Sequence, residues 1–126
     1  MKNCINSKNA PTPIGPYSHA VKTGNMLFVS GQVGVNSSNN KLAGPDIQSE
    51  ARQVMENIKA ILAEAGMNFT HVVKCSIFLR DMNDFKAVNE IYGSYFTAEF
   101  PARETVQVSG LPLNVNVEIS AIAVKE

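Results

Sequence analysis

Apolar residues recur along this chain with two periods, and the switches between them mark its elements. Ile47, Ala51, Val54, Met55, Ile58, Ile61, Leu62 and Ala65 follow the helical period. Asp46 after Pro45 supplies an N-cap and Gly66 a stop, so the spacing predicts a first helix between them. A second stripe, Phe85, Val88, Tyr92, Tyr95 and Phe96, predicts a helix opened by Asn83 or Asp84 and reaching about Ala98. The other segments alternate. Ser18–Thr23, a Gly24-Asn25 turn and Met26–Val35 predict a hairpin. His71–Arg80 predicts a strand with Val73, Cys75, Ile77 and Leu79 on one face. Phe100–Val108 and Val115–Ala123 predict two closing strands, joined by the short Ser109–Asn114 connection. Ala10–Tyr17, with three prolines and a glycine, predicts a stiff extended segment, and Asn36–Gly44 a polar loop.

The resulting order, β-β-α-β-α-β-β, predicts a single α+β domain over residues 1–126, a mixed sheet with two helices packed on one face. The other face then carries Arg103, Thr105, Gln107, Asn116, Glu118 and Ser120 beside aliphatic Ile122 and Val124. A half-apolar uncovered face predicts contact with other copies of the chain.

Composition narrows the function classes. Eleven basic and eleven acidic residues cancel, and no Lys/Arg run occurs, so nucleic acid is not an expected partner. A hydrophobic fraction of 44% against 17% charged residues fits a folded domain rather than a disordered one. No segment is apolar for long enough to span a membrane, and Met1–Ser7 lacks the apolar stretch of a signal peptide. The expectation is a cytoplasmic protein, with an organellar precursor left open. Cys4 and Cys75 read as free thiols. His19 and His71 stand in no metal-ligand spacing, so no metal is expected; His71, opening a strand, reads as structural.

The chemistry-bearing pair is Arg103 on one closing strand and Glu118 on the next. If these strands pair through their short connection, a guanidinium and a carboxylate share one polar face. That is the minimum for gripping a small carboxylic acid and moving a proton or water beside it. A cross-strand ion pair satisfies the same pattern. Tyr17 reads either as a packed aromatic or as a hydrogen-bond donor closing a pocket. Ser30-Gly31-Gln32 reads either as a bulge or as a tight strand end.

Five segments in order carry a family resemblance: Ile14-Gly15-Pro16-Tyr17-Ser18, Phe28-Val29-Ser30-Gly31-Gln32, Asn83-Asp84-Phe85 with Val88-Asn89, Phe100-Pro101-Ala102-Arg103, and Val117-Glu118-Ile119 with Ala121-Ile122-Ala123. Over essentially its whole length the chain resembles the RidA group of the YjgF/Rid (L-PSP) family. The resemblance implies a chorismate-mutase-like subunit, assembled as a homotrimer with ligand clefts between neighbours. It implies hydrolysis of 2-enamino and 2-imino acids, such as 2-iminobutanoate and 2-iminopropanoate, to 2-oxo acids and ammonia, with no cofactor. It also implies Arg103 as the carboxylate-binding residue and Glu118 and Tyr17 as its catalytic companions. Ser30, Gly31, Asn89 and the backbone at Thr105 are implied to bind substrate. Two positions depart from many relatives: Thr105 stands where cysteine is common, and Glu104 where a small residue is. A threonine without an adjacent base is a poor nucleophile, so a thiolate mechanism is excluded and a main-chain role at Thr105 is not. Glu104 is expected to point away from Arg103.

Two rival functions attach to the same residues. A ribonuclease or translation inhibitor, a name the family also carries, finds two separated histidines and no basic cluster here. A non-catalytic small-acid binder or chaperone-like module would keep the arginine cleft without turnover.

Overall fold

Local signals build most of the elements. The computed structural model describes residues 2–126; Met1, the first residue of the Met1–Ser7 segment considered above, lies outside them. The strands are β1 (Asn3–Ile5), β2 (Ala20–Thr23), β3 (Met26–Val33), β4 (Val72–Leu79), β5 (Ala102–Gln107) and β6 (Val117–Val124). The helices are α1 (Ile47–Glu64) and α2 (Phe85–Gly93). Asp46 caps α1 as anticipated, its carboxylate accepting the Ser49 amide at 3.0 Å. At the other end Gly66 takes φ +72°, and Met67 N–H returns to Leu62 O at 2.8 Å. That closure satisfies end carbonyls a straight helix would orphan.

The second helix is shorter than its apolar stripe. Asp81 caps a one-turn 3-10 segment over Met82–Asp84, and Asp84 makes no side-chain cap bond. α2 stops at Gly93, and the chain continues through Phe96 in i→i+3 turns. Gly93 and Ser94 are the weak helix formers at that break. Tyr95 and Phe96 still pack inward, against Phe69 at ring separations of 5.3 and 5.4 Å.

All six strands form one mixed sheet in the order β1-β2-β3-β6-β4-β5, in which β4 and β5 run parallel and the other pairs antiparallel. β1 adds a strand the alternation did not predict. The core lies between one face of the sheet and the helices. Leu27 and Val29 of β3, Cys75, Ile77 and Leu79 of β4, and Val117, Ile119, Ala121 and Ala123 of β6 meet Val54, Met55, Ile58, Ile61 and Leu62 of α1. Each large aliphatic buried there contributes about 1.5–3 kcal/mol as an upper figure.

Two bulges adjust the faces. Between Val72 and Lys74 the β4–β6 register slips, so Val72 takes the buried place and Val73 turns outward, 48% exposed. The predicted Val73 face is corrected accordingly. Between Val29 and Gln32 the β3–β6 register slips again, leaving Ser30 and Gly31 opposite a single β6 position.

The closing strands do not pair with each other. β4 lies between them, and β5 is an edge strand. Arg103, Thr105 and Gln107 align with Cys75, Ile77 and Leu79, so they share the helix side of the sheet. Glu118 aligns with outward Phe78 and Ser120 with Ser76. The expectation of one polar face joining Arg103, Thr105 and Gln107 to Glu118 and Ser120 is therefore wrong. A parallel β4–β5 pairing needs the long crossover through α2, and its register sets Arg103, Thr105 and Gln107 beside the inward Cys75, Ile77 and Leu79. Glu104 does point away from Arg103, onto the outer face, where it meets Lys74 at 3.0 Å and accepts from Ser76. Phe28, Phe78, Val106, Ile122 and Val124 make much of that outer face apolar, with Phe28 and Val106 exposed.

Candidate functional site

The Pro-rich segment is fixed by a histidine. His19 is 2% exposed; its Nδ1 accepts the Ser7 amide at 3.0 Å, and Nε2 faces the Pro11 carbonyl at 2.6 Å. One acceptor and one donor describe a neutral ring with its proton on Nε2. His19 is thus a structural pin, and the segment it holds carries Tyr17 to the rim of a cleft. His71 is structural too, accepting the Asn68 amide in a capping box at the start of β4.

The Ser30–Gly31 bulge forms the floor of this cleft, of about 790 Å³. Ser30 donates its amide to His19 O and its hydroxyl to Ser18 O, at 2.9 and 2.7 Å, so both donors are taken. Gly31 is needed for space. A Cβ there would stand 2.8 Å from the Glu118 carboxyl carbon, because the Glu118 side chain lies across this residue. Glu118 is half-buried, and burial pushes its carboxyl pKa above the ordinary value. Ile14 and Leu113 give the cleft apolar lining. Leu113 arrives through a turn in which it and Asn114 both take left-handed φ, +58° and +56°. Arg80 secures that turn through the Asn114 carbonyl at 3.1 Å.

Glu50 supports the cleft from beneath. It is 2% exposed in the first turn of α1, and its carboxylate accepts Asn116 N, Asn116 Nδ2 and Val117 N at 2.7, 2.7 and 3.1 Å. These bonds fix where β6 begins, one residue before Glu118.

Arg103 lies elsewhere, in a smaller cleft with Asn89, Tyr92, Gly93, Phe100 and Pro101. Its guanidinium carbon stands 5.2 Å from the Tyr92 ring centre and 5.7 Å from that of Phe85, and Nη1 donates to Asn89 Oδ1. Among the described residues no carboxylate forms an ion pair with it. Beneath it, burial raises the pKa of the Cys75 thiol and of the Tyr92 phenol, keeping both neutral. Thr105 Oγ1 is buried without a partner. The Val108 amide bonds Leu79 O in β4 at 2.8 Å; alternation along the strand then turns the peptide groups of Arg103 and Thr105 to the open edge.

The structure therefore brings Tyr17, Ser30, Gly31 and Glu118 together, and separately Arg103, Asn89 and Thr105. Two inter-strand steps and three residues along β4 separate the Arg103 and Glu118 backbones by roughly 14 Å, with side chains on opposite faces. Sequence reasoning assigned Phe85 and Tyr92 to the core and gave no role to Ile14, Leu113 or Glu50. The polar Asn89 at i+4 from Phe85 and i−3 from Tyr92 was the signal that this stripe also faces a site. Among the described residues no three His, Cys, Asp or Glu side chains group as metal ligands, and no helix is long and apolar enough to cross a membrane.

Comparison with known proteins adds a consistent set of relatives. Residues 7–125 match the family described as Endoribonuclease L-PSP. The chain is 50% identical to a RutC family protein of Pyrococcus horikoshii, over the full length of both. It is 45% identical to the 2-iminobutanoate/2-iminopropanoate deaminase of Dermatophagoides farinae, covering 99% of this chain and 98% of that one. The crystal structure of E. coli TdcF with bound serine is similar at a TM-score of 0.95 and 40% identity, over 98% of this chain and 99% of that one.

Proposed function

The chain belongs to the L-PSP endoribonuclease family, in its RidA/YjgF branch, and from that premise we propose that it hydrolyses 2-imino and 2-enamino acids to 2-oxo acids and ammonia. The observation that carries the reading is a pair of complementary half-sites that one subunit cannot join. Arg103 offers an un-neutralised guanidinium in one cleft, and Glu118 a carboxyl of raised pKa in another, on the opposite face. A second copy placing its Arg103 edge against the Glu118 cleft completes the site. The apolar outer face and the open β5 edge supply surface for that contact, and a homotrimer gives three such clefts.

Within the joined site, Arg103 takes the substrate carboxylate in a two-point grip that lysine would not reproduce. The iminium carbon is already electrophilic, so the protein needs to place a water and move protons. Glu118, ionised, accepts a proton as the water oxygen bonds to that carbon. The resulting carbinolamine receives that proton on nitrogen, the C–N bond breaks as ammonia leaves, and Glu118 takes the hydroxyl proton as the 2-oxo group forms and passes it to the departing ammonia. An enamino acid first takes a proton at its β-carbon. A carboxyl raised by burial suits both directions of this transfer. Tyr17 at the rim donates a hydrogen bond and closes the cleft, and the Thr105 peptide on the open edge offers another.

The test uses a pyridoxal-phosphate threonine dehydratase to generate the imine while 2-oxobutanoate release is followed. The parent protein accelerates release; Arg103→Ala and Glu118→Gln each abolish the acceleration. Subunits of the two variants, unfolded together and refolded at equal ratio, recover about one quarter of parent activity, the share of random interfaces holding both intact residues. No acceleration by a folded parent overturns the deaminase reading. Two inactive variants that never complement overturn the shared site.

A second reading, binding of a small amino or 2-oxo acid without turnover, is favoured by the serine held in the E. coli relative. In the same assay such a protein leaves imine decay at its spontaneous rate while binding 2-oxobutanoate. For the ribonuclease reading the two clefts offer one basic side chain, Arg103.

A further inference from the structure

A guanidinium on a long side chain leaving an edge strand would ordinarily sweep through solvent. That of Arg103 does not. Phe85, Asn89 and Tyr92 stand at i, i+4 and i+7 on α2, and all three engage it from one face of the helix. Tyr92 is 4% exposed and packs against Phe96 at 5.0 Å, so its ring is a fixed platform rather than a mobile flap. Every member of the set is uncharged at neutral pH. Two π faces and one amide oxygen hold the cation without cancelling its charge, as an aspartate or glutamate would.

We propose that Phe85, Asn89 and Tyr92 form a neutral cradle that aims the Arg103 guanidinium at a ligand carboxylate, with Tyr92 as the principal positioning residue. The inference rests on the reading of Arg103 as the carboxylate-binding group. Its physical basis is preorganisation. A free arginine loses its rotamer freedom when it grips a ligand, whereas one already stacked and tethered has lost it on folding. Asn89 occupies Nη1, and Arg has five N–H donors, so a two-point edge stays available for an incoming carboxylate. The Tyr92 hydroxyl takes no part in the hold, being buried without a hydrogen-bond partner. The ring carries the role, and phenylalanine can fill it.

The experiment measures calorimetric affinity for 2-oxobutanoate, with Tm and the kcat–KM split of the imine assay, in the parent, Tyr92→Phe, Tyr92→Leu, Asn89→Ala and Arg103→Ala. Tyr92→Leu and Asn89→Ala are each expected to weaken binding and raise KM about tenfold, equivalent to 1.4 kcal/mol, with kcat changed by less than about threefold. Tyr92→Phe restores affinity to within about twofold of the parent and raises Tm, since a buried hydroxyl without a partner is removed. Asn89 is exposed on α2, so its variant reads out the cradle even where Tyr92→Leu fails to fold. Parent-like affinity in Asn89→Ala and in folded Tyr92→Leu, with Arg103→Ala unable to bind, overturns the cradle and leaves the carboxylate role of Arg103 standing. Parent-like affinity in Arg103→Ala overturns the reading beneath it.

Discussion

Replacing Gly31 by alanine puts a methyl group where the Glu118 side chain lies. The new Cβ would stand 2.8 Å from the carboxyl carbon and 3.0 Å from Cγ, against ordinary contact beginning near 3.4 Å. The carboxyl carbon must therefore retreat by more than half an ångström, and the nearer carboxylate oxygen by more. What obstructs the methyl is the far end of a flexible side chain rather than backbone, so the fold can yield. Overpacking costs about 1–3 kcal/mol, and this site belongs at the low end, near the cost of one off-rotamer side chain. In a chain of this length about 1 kcal/mol lowers Tm by roughly 3–5 °C. Activity should suffer far more, because displacing a proton-handling group by about 1 Å can cost on the order of 100-fold in rate. Gly31→Ala is thus expected to lose most of the imine-deaminase kcat while remaining folded. The decisive control is Gly31→Ala in a Glu118→Ala background, where the three atoms nearest the methyl are gone and the stability loss is expected to disappear. Parent-like kcat in the single variant, or an undiminished loss of Tm in the double variant, would refute the argument that Gly31 exists to seat Glu118.

The remaining predictions concern charge and support. Glu118 has its pKa raised by burial, so the folded protein holds that proton at pH values where the unfolded chain has released it. Its stability contribution is therefore complete below the ordinary glutamate value and is lost as pH rises through the elevated one. The Tm of Glu118→Gln should gain on the parent across that window, and a pH-independent difference between the two would contradict the assignment. The imine-hydrolysis rate should fall as pH drops through the same elevated pKa if Glu118 acts as the base, and a profile flat there would remove it from the proton path. Glu50→Ala strips acceptors from two backbone amides and the Asn116 side chain, so denaturant unfolding should show a loss of about 2–4 kcal/mol, with Glu50→Gln recovering part of it.

Where a local signal was sufficient, the sequence reading and the fold coincide. Asp46 and Gly66 mark the ends of α1 because capping is a contest settled within one turn. Of the two readings open for Gly31 within an alternating run, a bulge or a tight strand end, the structure shows the bulge, since a missing side chain is where two residues can stand against one. The α2 stripe was overextended: Tyr95 and Phe96 keep the apolar spacing after the backbone has left the helix, since packing of rings does not require helical hydrogen bonds.

By itself the sequence determined the types of the elements other than β1, the α+β class, the buried faces of α1 and β6, and the residues worth following: Arg103, Glu118, Tyr17 and the Ser30-Gly31 pair. It did not determine their arrangement. Alternation divides a strand into two faces without saying which neighbour it pairs with. On β5, with no long apolar face, either division looked acceptable. Only the tertiary structure decided that β4 separates β5 from β6, that Arg103 turns toward α2, and that Glu118 turns away from it. Strand order is fixed by where a whole helix–sheet core closes, a cooperative, long-range matter to which no single segment's pattern refers. That order puts the two clefts on opposite faces, and the proposal that a second copy of the chain joins them rests on it.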